Sequence, residues 1–341
     1  MKNFILQNEN AIYFESKFSC DNVIFLNLGN ENFFITDARY TIEAKQYAKN
    51  CEVVESSNLI ETAKEILKKN KIKELVFDPN DFNYATYIKL SENLKTQFIP
   101  KANFSKEKRV IKTAEEIEIL KKASKIGKDG FKRLAKYIRK NGFNQSEKFL
   151  YFKAFEKMSQ AGKYDISFEP IIVINENAAK PHAIATSKKL KLNDLLLVDA
   201  GIKYKRYCSD RTCTSHVDFE NFNFKREQKF KNLKHQKVYD IVLKAQLNAI
   251  EKARVGMRAS EVDKLTRDII EKEGFGKYFI HSTGHGVGLD IHEFPIINSK
   301  SDVIIKDNMV FTIEPGIYLP DEFGVRIEDT IVMQNGKAVI L

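Results

Sequence analysis

The chain has 341 residues, 43% hydrophobic and 30% charged, which is the composition of a soluble globular protein long enough for two domains. No uninterrupted apolar run is long enough to cross a bilayer, and the opening Met1-Lys-Asn-Phe-Ile-Leu-Gln-Asn has too short an apolar stretch for a signal peptide. The net charge of +10 raises nucleic acid as a partner, but lysines are interspersed with glutamates, as in Glu116-Ile-Glu-Ile-Leu-Lys-Lys, so a solvated basic surface is the better reading.

Residues 1–110 alternate apolar runs with helical patterns. Asn22-Val-Ile-Phe-Leu-Asn-Leu28 and Asn32-Phe-Phe-Ile-Thr36 predict strands, with Leu28-Gly-Asn-Glu31 as the turn between them. Asn58–Lys69 and Asp81–Lys95 predict helices, and Glu74-Leu-Val-Phe-Asp78 another strand. Together these predict a small α/β domain. The pattern breaks over residues 101–112, which places the boundary there, with a second domain over 111–341.

Thr113-Ala-Glu-Glu116 is a capping box that predicts a long amphipathic helix to about Ile138. A second helix is predicted from Ser146 to Ala161. Strands are expected at Phe168–Ile174, Leu195–Tyr204 and Tyr207–Ser215. Helices follow at about Arg226–Ala253 and Ser260–Glu273, then strands near Met309–Leu319 and Phe323–Val332. This domain reads as α+β, with helices grouped around antiparallel hairpins. The four cysteines, Cys20, Cys51, Cys208 and Cys213, contain no Cys-x-x-Cys pair and read as reduced thiols in a cytoplasmic protein.

Three of the six histidines fall within His281-Ser-Thr-Gly-His285-Gly-Val-Gly-Leu-Asp-Ile-His292, and a fourth, His182, follows Pro181. Imidazole is the commonest metal ligand and carries protons near neutral pH, so this crowding in a glycine-rich segment points to an active site. His216 and His235 stand apart and read as packing residues.

Two hairpins echo one another. Val198-Asp199-Ala-Gly201-Ile matches Ile313-Glu314-Pro-Gly316-Ile, and Ser209-Asp210-Arg-Thr212 matches Ile327-Glu328-Asp-Thr330. A two-residue turn at Tyr204-Lys205 would set Asp199 opposite Asp210. A three-residue loop at Pro320-Asp-Glu322 would set Glu314 opposite Glu328. Directly opposed carboxylates, with Cβ atoms about 4.5–5.5 Å apart, repel. Four such charges balance two divalent cations, and an added imidazole such as His285 completes the shell. Two ions about 3.5–4 Å apart are the arrangement of hydrolytic two-metal sites, in which water is activated near neutral pH. An oxygen-rich shell suits manganese foremost, with cobalt, iron or zinc as alternatives. His182, His281 and His292 are candidates to move protons or stabilise an oxyanion.

Other chemistries lack support. Gly284-His-Gly-Val-Gly has no Gly-Lys-Ser/Thr ending, and no Gly-x-Ser-x-Gly elbow occurs.

Five blocks now stand in order: Val198–Gly201, Ser209-Asp210, His281–Glu293, Thr312–Tyr318 and Gly324–Thr330. They resemble the pita-bread metallopeptidases, the group containing methionine aminopeptidase, aminopeptidase P and prolidase. From about residue 110 onward the resemblance is strong, and residues 1–110 resemble the creatinase-type N-terminal domain. It implies a pita-bread catalytic domain with a pseudo-two-fold repeat. It also implies Asp199, Asp210, His285, Glu314 and Glu328 as ligands of two metal ions, bridged by Asp210 and Glu328. Glu314 would also be the general base, while His182 and His292 would contact substrate and intermediate.

His281, four residues before His285, together with Glu314-Pro-Gly-Ile-Tyr and Val-Arg326-Ile-Glu-Asp, is similar to the proline-specific branch. Arg326 shares a strand face with Glu328 and would hold the carboxylates or engage substrate. The implied activity is removal of the N-terminal residue from Xaa-Pro peptides, as in Xaa-Pro aminopeptidase. Xaa-Pro dipeptidase is the alternative, and a catalytically dead peptide-binding module the remote one. A homodimer is implied by the same resemblance, and neither nucleic acid nor a membrane is expected as a partner. Two departures stand out. The branch's Asp-x-Thr-Arg-Thr is Asp210-Arg-Thr-Cys213-Thr here, and its Ser-Gly before the Pro-His block is Ile174-Asn175.

Overall fold

Short apolar runs alternating with amphipathic stretches build the first unit of the protein, whose computed structural model describes residues 3–341 and divides between Lys108 and Arg109. Strands β1 (Asn3–Leu6), β2 (Val23–Leu28), β3 (Asn32–Thr36), β4 (Glu52–Glu55), β5 (Glu74–Phe77) and β6 (Gln97–Pro100) form one mixed sheet, ordered β4-β3-β2-β1-β5-β6. Helices α1 (Glu9–Ser16), α2 (Thr41–Tyr47), α3 (Leu59–Lys69), α4 (Tyr84–Ser91) and α5 (Phe104–Lys108) complete it. The β2–β3 turn falls where the sequence predicts it, at Gly29 with φ +84°. The sequence reading did not find β1. It is only four residues long, yet it sits in the middle of the sheet, antiparallel to β2 and parallel to β5. A strand that short shows no period of its own.

The second unit opens with the capping box. The Thr113 hydroxyl accepts from the Glu116 N–H, and the Glu116 carboxylate accepts from the Thr113 N–H. Helix α6 (Ala114–Asn141) then buries Ile117, Leu120, Phe131, Leu134 and Ile138 along one face. Each such side chain contributes about 1.5–3 kcal/mol. After α7 (Glu147–Met158) come β7 (Ile171–Ile174), β8 (Leu195–Asp199), β9 (Lys203–Tyr204), β10 (Tyr207–Cys208) and β11 (Thr212–His216). Helices α8 (Leu233–Lys252) and α9 (Ala259–Lys272) precede β12 (Gly284–Gly286), β13 (Glu293–Ile297), β14 (Val310–Ile313), β15 (Gly316–Leu319), β16 (Phe323–Arg326), β17 (Asp329–Gln334) and β18 (Lys337–Ile340).

The sheets are β11-β8-β7 and β13-β12-β14-β17-β18, with β9–β10 and β15–β16 as separate ribbons. Leu134 and Ile138 of α6 pack with Leu196 and Val198 of β8 in one core. Ala249 of α8 and Val262 of α9 pack with Phe311 and Ile331 in another. The unit is α+β, as expected. Among the described residues no helix is long and apolar enough to cross a membrane.

Two expectations are corrected. The helix predicted from Arg226 begins at Leu233. Over 226–232 side chains take up the backbone groups that a helix would use: Gln228 donates to the Lys225 carbonyl, the Phe230 N–H donates to the Gln236 side-chain oxygen, and Asn232 caps α8. The first hairpin turns at Lys205-Arg206, not Tyr204-Lys205. Both turn residues have positive φ, 48° and 70°, the type I′ geometry usually signalled by Asn-Gly, a pair that does not stand at this turn. Asp199 therefore faces Thr212, and Asp210 lies two residues before it, toward the turn. A two-residue shift keeps side-chain alternation, so Asp210 still points the same way. The second hairpin keeps its expected register: Ile313 pairs with Asp329 and Gly316 with Arg326, which leaves Glu314 opposite Glu328.

Candidate metal centre

Both hairpins break in the middle, and the four acids stand at the breaks. Asp199 ends β8, Asp210 lies between β10 and β11, Glu314 between β14 and β15, and Glu328 between β16 and β17. Where the ladders stop, the backbone bonds to the other hairpin. The Glu328 N–H donates to the Thr212 carbonyl at 3.0 Å, and the Thr330 hydroxyl to the Asp210 carbonyl at 3.0 Å. This stitching brings all four carboxylates to the lining of one cavity.

His285 joins them from β12. Its Nε2 is 3.6 Å from Asp210 Oδ2 and 3.4 Å from Glu314 Oε1. Ligand atoms of Asp210, His285 and Glu328 all lie within 4.8 Å of one another. The His285 Nδ1–H donates to the Gly286 carbonyl at 3.1 Å, leaving the Nε2 lone pair aimed at the acids. The Thr312 hydroxyl accepts from the His285 N–H and donates to Glu314 Oε1 at 3.2 Å.

The electrostatics are those of a site built for positive charge. Burial, then Asp199 and Glu314, raise the Asp210 carboxyl far above the usual range. Burial, then Asp210 and Glu314, do the same to Glu328. Burial pushes Glu314 up to about 7. Burial also lowers His285, so it is a neutral imidazole ready to coordinate. Asp199 Oδ1 is buried with no hydrogen-bond partner among the described residues. Mutually repelling acids, an orphaned oxygen and a free imidazole lone pair form a donor set that fits divalent cations.

Arg326, 4% exposed, is no surface cation. Its guanidinium donates to Asp199 Oδ2 at 2.7 Å, to the Thr212 hydroxyl at 3.1 Å and to Tyr318 Oη at 2.9 Å. Thr212 in turn donates to Glu328 Oε2 at 2.7 Å. The Tyr318 O–H donates to His281 Nε2 at 2.8 Å, and the His281 Nδ1–H donates to the Ser282 carbonyl at 2.8 Å. Burial, with help from Arg326, holds His281 down at about 4, so it is neutral and locked in one tautomer. The sequence reading gave Tyr318 no role. Its hydroxyl lies where a Cβ on Gly316 would come within 2.6 Å, so the glycine makes room for it.

A cavity of about 970 Å³ opens over the acids, and His182, Asp199, Asp210, His281, His285, His292, Glu314, Arg326 and Glu328 all line it. His292 stands edge-on to His285, ring centres 4.3 Å apart. Phe168, Ile184, Ile291 and Ile296 give the cavity an apolar wall, and Lys148 and Tyr151 line it too. None of these six was singled out from sequence, because nothing local marks an apolar residue as cavity-lining rather than core.

Glu147 is another unflagged residue. Fully buried, it accepts from the Ile174 N–H, the Asn177 amide and both the N–H and hydroxyl of Thr186, all at 2.6–2.8 Å. It thereby pins the loop that carries His182. Within that loop Asn175 has φ +48°. Asparagine tolerates left-handed backbone better than other non-glycine residues, which accounts for its standing where the related branch has glycine.

Sequence comparison agrees with this architecture. The pattern described as Metallopeptidase family M24 matches residues 118–335, and that of the Creatinase/Prolidase N-terminal domain matches residues 1–113. An uncharacterized peptidase of Bacillus subtilis is 37% identical over 315 residues, 92% of this chain and 85% of the relative. The Xaa-Pro dipeptidase of Pyrococcus furiosus is 41% identical over 232 residues, 68% of this chain and 63% of its own length. Among solved structures, an Xaa-Pro dipeptidase from Bacillus anthracis superimposes with a TM-score of 0.91 at 33% identity, covering 99% of this chain and 92% of that one. An X-Pro aminopeptidase from Thermotoga maritima gives 0.88 at 29% identity, covering 100% and 95%. Prolidases and Xaa-Pro dipeptidases are named more often than aminopeptidases among such relatives, including those of Pyrococcus horikoshii and a solved prolidase of Pyrococcus furiosus. A creatinase-type unit followed by a pita-bread catalytic unit, with acids and imidazole gathered for divalent metal, makes this chain a peptidase belonging to metallopeptidase family M24.

Proposed function

We propose that the protein is an Xaa-Pro dipeptidase using two divalent metal ions, with manganese preferred. The observation that carries the reading is the meeting of Asp199, Asp210, His285, Glu314 and Glu328 on one cavity. These five would hold the ions. When bound, the ions supply Lewis acidity toward the scissile carbonyl and an activated water.

The chain's own residues do the rest. Glu314 takes the proton from the attacking water and passes it to the departing proline nitrogen. His182 and His292, both exposed to the cavity, donate to the carbonyl oxygen as it gains charge. Arg326 fixes Asp199 and, through Tyr318, the ring of His281. The apolar wall of Phe168, Ile184, Ile291 and Ile296 holds hydrocarbon and thins the water around the reacting bond. Proline offers no N–H, and a site that asks for none accepts it.

Xaa-Pro aminopeptidase is the second reading. The similarity to the Thermotoga maritima enzyme favours it, as does a cavity at the top of the roughly 300–1,000 Å³ range for small-ligand pockets, which does not by size restrict entry to dipeptides. Turnover of Xaa-Pro, Xaa-Pro-Yaa and Xaa-Ala peptides with added manganese separates the readings. Cleavage confined to Xaa-Pro dipeptides is the expected result. Equal or faster cleavage of Xaa-Pro-Yaa would replace dipeptidase by aminopeptidase, and no metal-dependent turnover would remove both. Cytoplasmic location and a homodimer belong to the same proposal, the latter checked by light scattering.

A further inference from the structure

Asp329 follows Glu328 and pairs across the ladder with Ile313, the residue before Glu314. Both glutamates therefore leave their strands at this point. Asp329 is 4% exposed, and a carboxylate so deeply buried requires a cation or several donors. Gln246 Nε2 donates to Asp329 Oδ2 at 3.1 Å and reaches the Ile313 carbonyl at 3.4 Å, bridging the two strands. The cation is Arg226, whose Nη2 donates to Asp329 Oδ2 at 2.6 Å, while Arg211 Nε is more distant at 3.8 Å from Oδ1. Arg226 comes from the irregular segment before α8 and is held by its own backbone. Its carbonyl accepts from the Tyr239 hydroxyl at 2.9 Å, and Gln228 donates to the neighbouring Lys225 carbonyl at 2.7 Å.

The same spot contains the chain's departure from the proline-specific pattern. Cys213 occupies the arginine position of Asp-x-Thr-Arg-Thr. Cys213, Arg226, Glu328 and Asp329 line one cavity of about 10 Å³, room for a single water at most. A buried neutral thiol offers Asp329 no charge.

We propose that Arg226 replaces, from a loop, the strand arginine that this chain lacks at Cys213. It acts as a positioning residue: by fixing Asp329 it aims Glu328 and Glu314 for metal. The inference rests on the reading of those two glutamates as metal ligands. Calorimetric titration of manganese into metal-stripped Arg226→Ala should show binding weakened about 10–100-fold. The kcat of the variant should fall while KM for an Xaa-Pro dipeptide stays near wild type. Arg226→Lys or the double variant Cys213→Arg/Arg226→Ala should recover most of the affinity, because either returns a charged donor to Asp329 Oδ2, which Arg211 does not reach. Wild-type affinity in Arg226→Ala overturns the proposal, as does a loss that neither rescue recovers. If Arg226→Ala fails to fold, the double variant decides: recovery of folding and metal affinity supports the proposal, and failure overturns it. Wild-type protein that binds no manganese would instead remove the metal reading underneath, and this inference with it.

Discussion

Lowering the pH from 8 to 6 should weaken divalent-metal binding about tenfold through Glu314 alone. Burial pushes its carboxyl up to about 7, so at pH 6 about nine-tenths of the sites carry a proton there and at pH 8 about one-tenth. A cation must displace that proton. Affinity therefore rises with pH through 7 and levels off above it, a change of about 1.4 kcal/mol between pH 6 and 8. A carboxylate at the ordinary value near 4.5 would be ionised at both and contribute almost nothing. Asp210 and Glu328 are raised as well and add in the same direction. His285 is held below its ordinary value and has little proton to lose in this window. The assay is calorimetric titration of manganese into metal-stripped protein at pH 6, 7 and 8, in buffers of differing ionisation enthalpy, with Glu314→Gln alongside. The variant should bind more weakly at every pH but with a flatter dependence, about one proton less at pH 6. Flat wild-type affinity, or the same slope in Glu314→Gln, would refute the idea that burial holds the Glu314 carboxyl near 7.

Three further outcomes are expected. Metal-stripped Asp210→Asn should melt above metal-stripped wild type at pH 8 by roughly 2–8 °C, because one of four repelling charges is gone, yet it should bind metal poorly and turn over nothing; a lower melting temperature would contradict the repulsion. Arg326→Met strands Asp199 Oδ2 and Tyr318 and should cost about 3–5 kcal/mol in thermal or denaturant unfolding, whereas Arg326→Lys keeps the charge, loses the fork and should reduce kcat more than stability. Gly284→Ala would bring a Cβ within 1.9 Å of the Thr312 carbonyl oxygen, so β12 must shift beside His285; a loss of about 1–3 kcal/mol or more should appear in melting, with metal affinity reduced.

Much of this protein could be read from local pattern. The capping box and the apolar face of α6 are contained within a few turns of one helix. The histidine segment and the echoed acids were legible because each lies in a short block of unusual residues. The second hairpin could even be registered in advance, since Pro320-Asp-Glu322 marks its loop. Other features carry no local signal. The type I′ turn at Lys205-Arg206 lacks the usual Asn-Gly, so its register emerged only from the ladder. The stretch from 226 to 232 has helix-compatible residues, but bonds between side chains and backbone win over helix there.

The sequence by itself determined which side chains could do chemistry here: five oxygen and imidazole donors, three further histidines and an arginine, in an order that already resembled one family. Only the tertiary structure decided how they act together. It placed all four acids at the hairpin breaks, set Arg326 and Tyr318 between Asp199 and His281, and supplied Glu147, Gln246 and Arg226 as supports. The reason is physical. Capping and periodicity are interactions between residues three or four apart, which a linear string displays directly. A buried charge finds its partner through packing, and Arg226 meets Asp329 across 103 positions that no spacing rule connects.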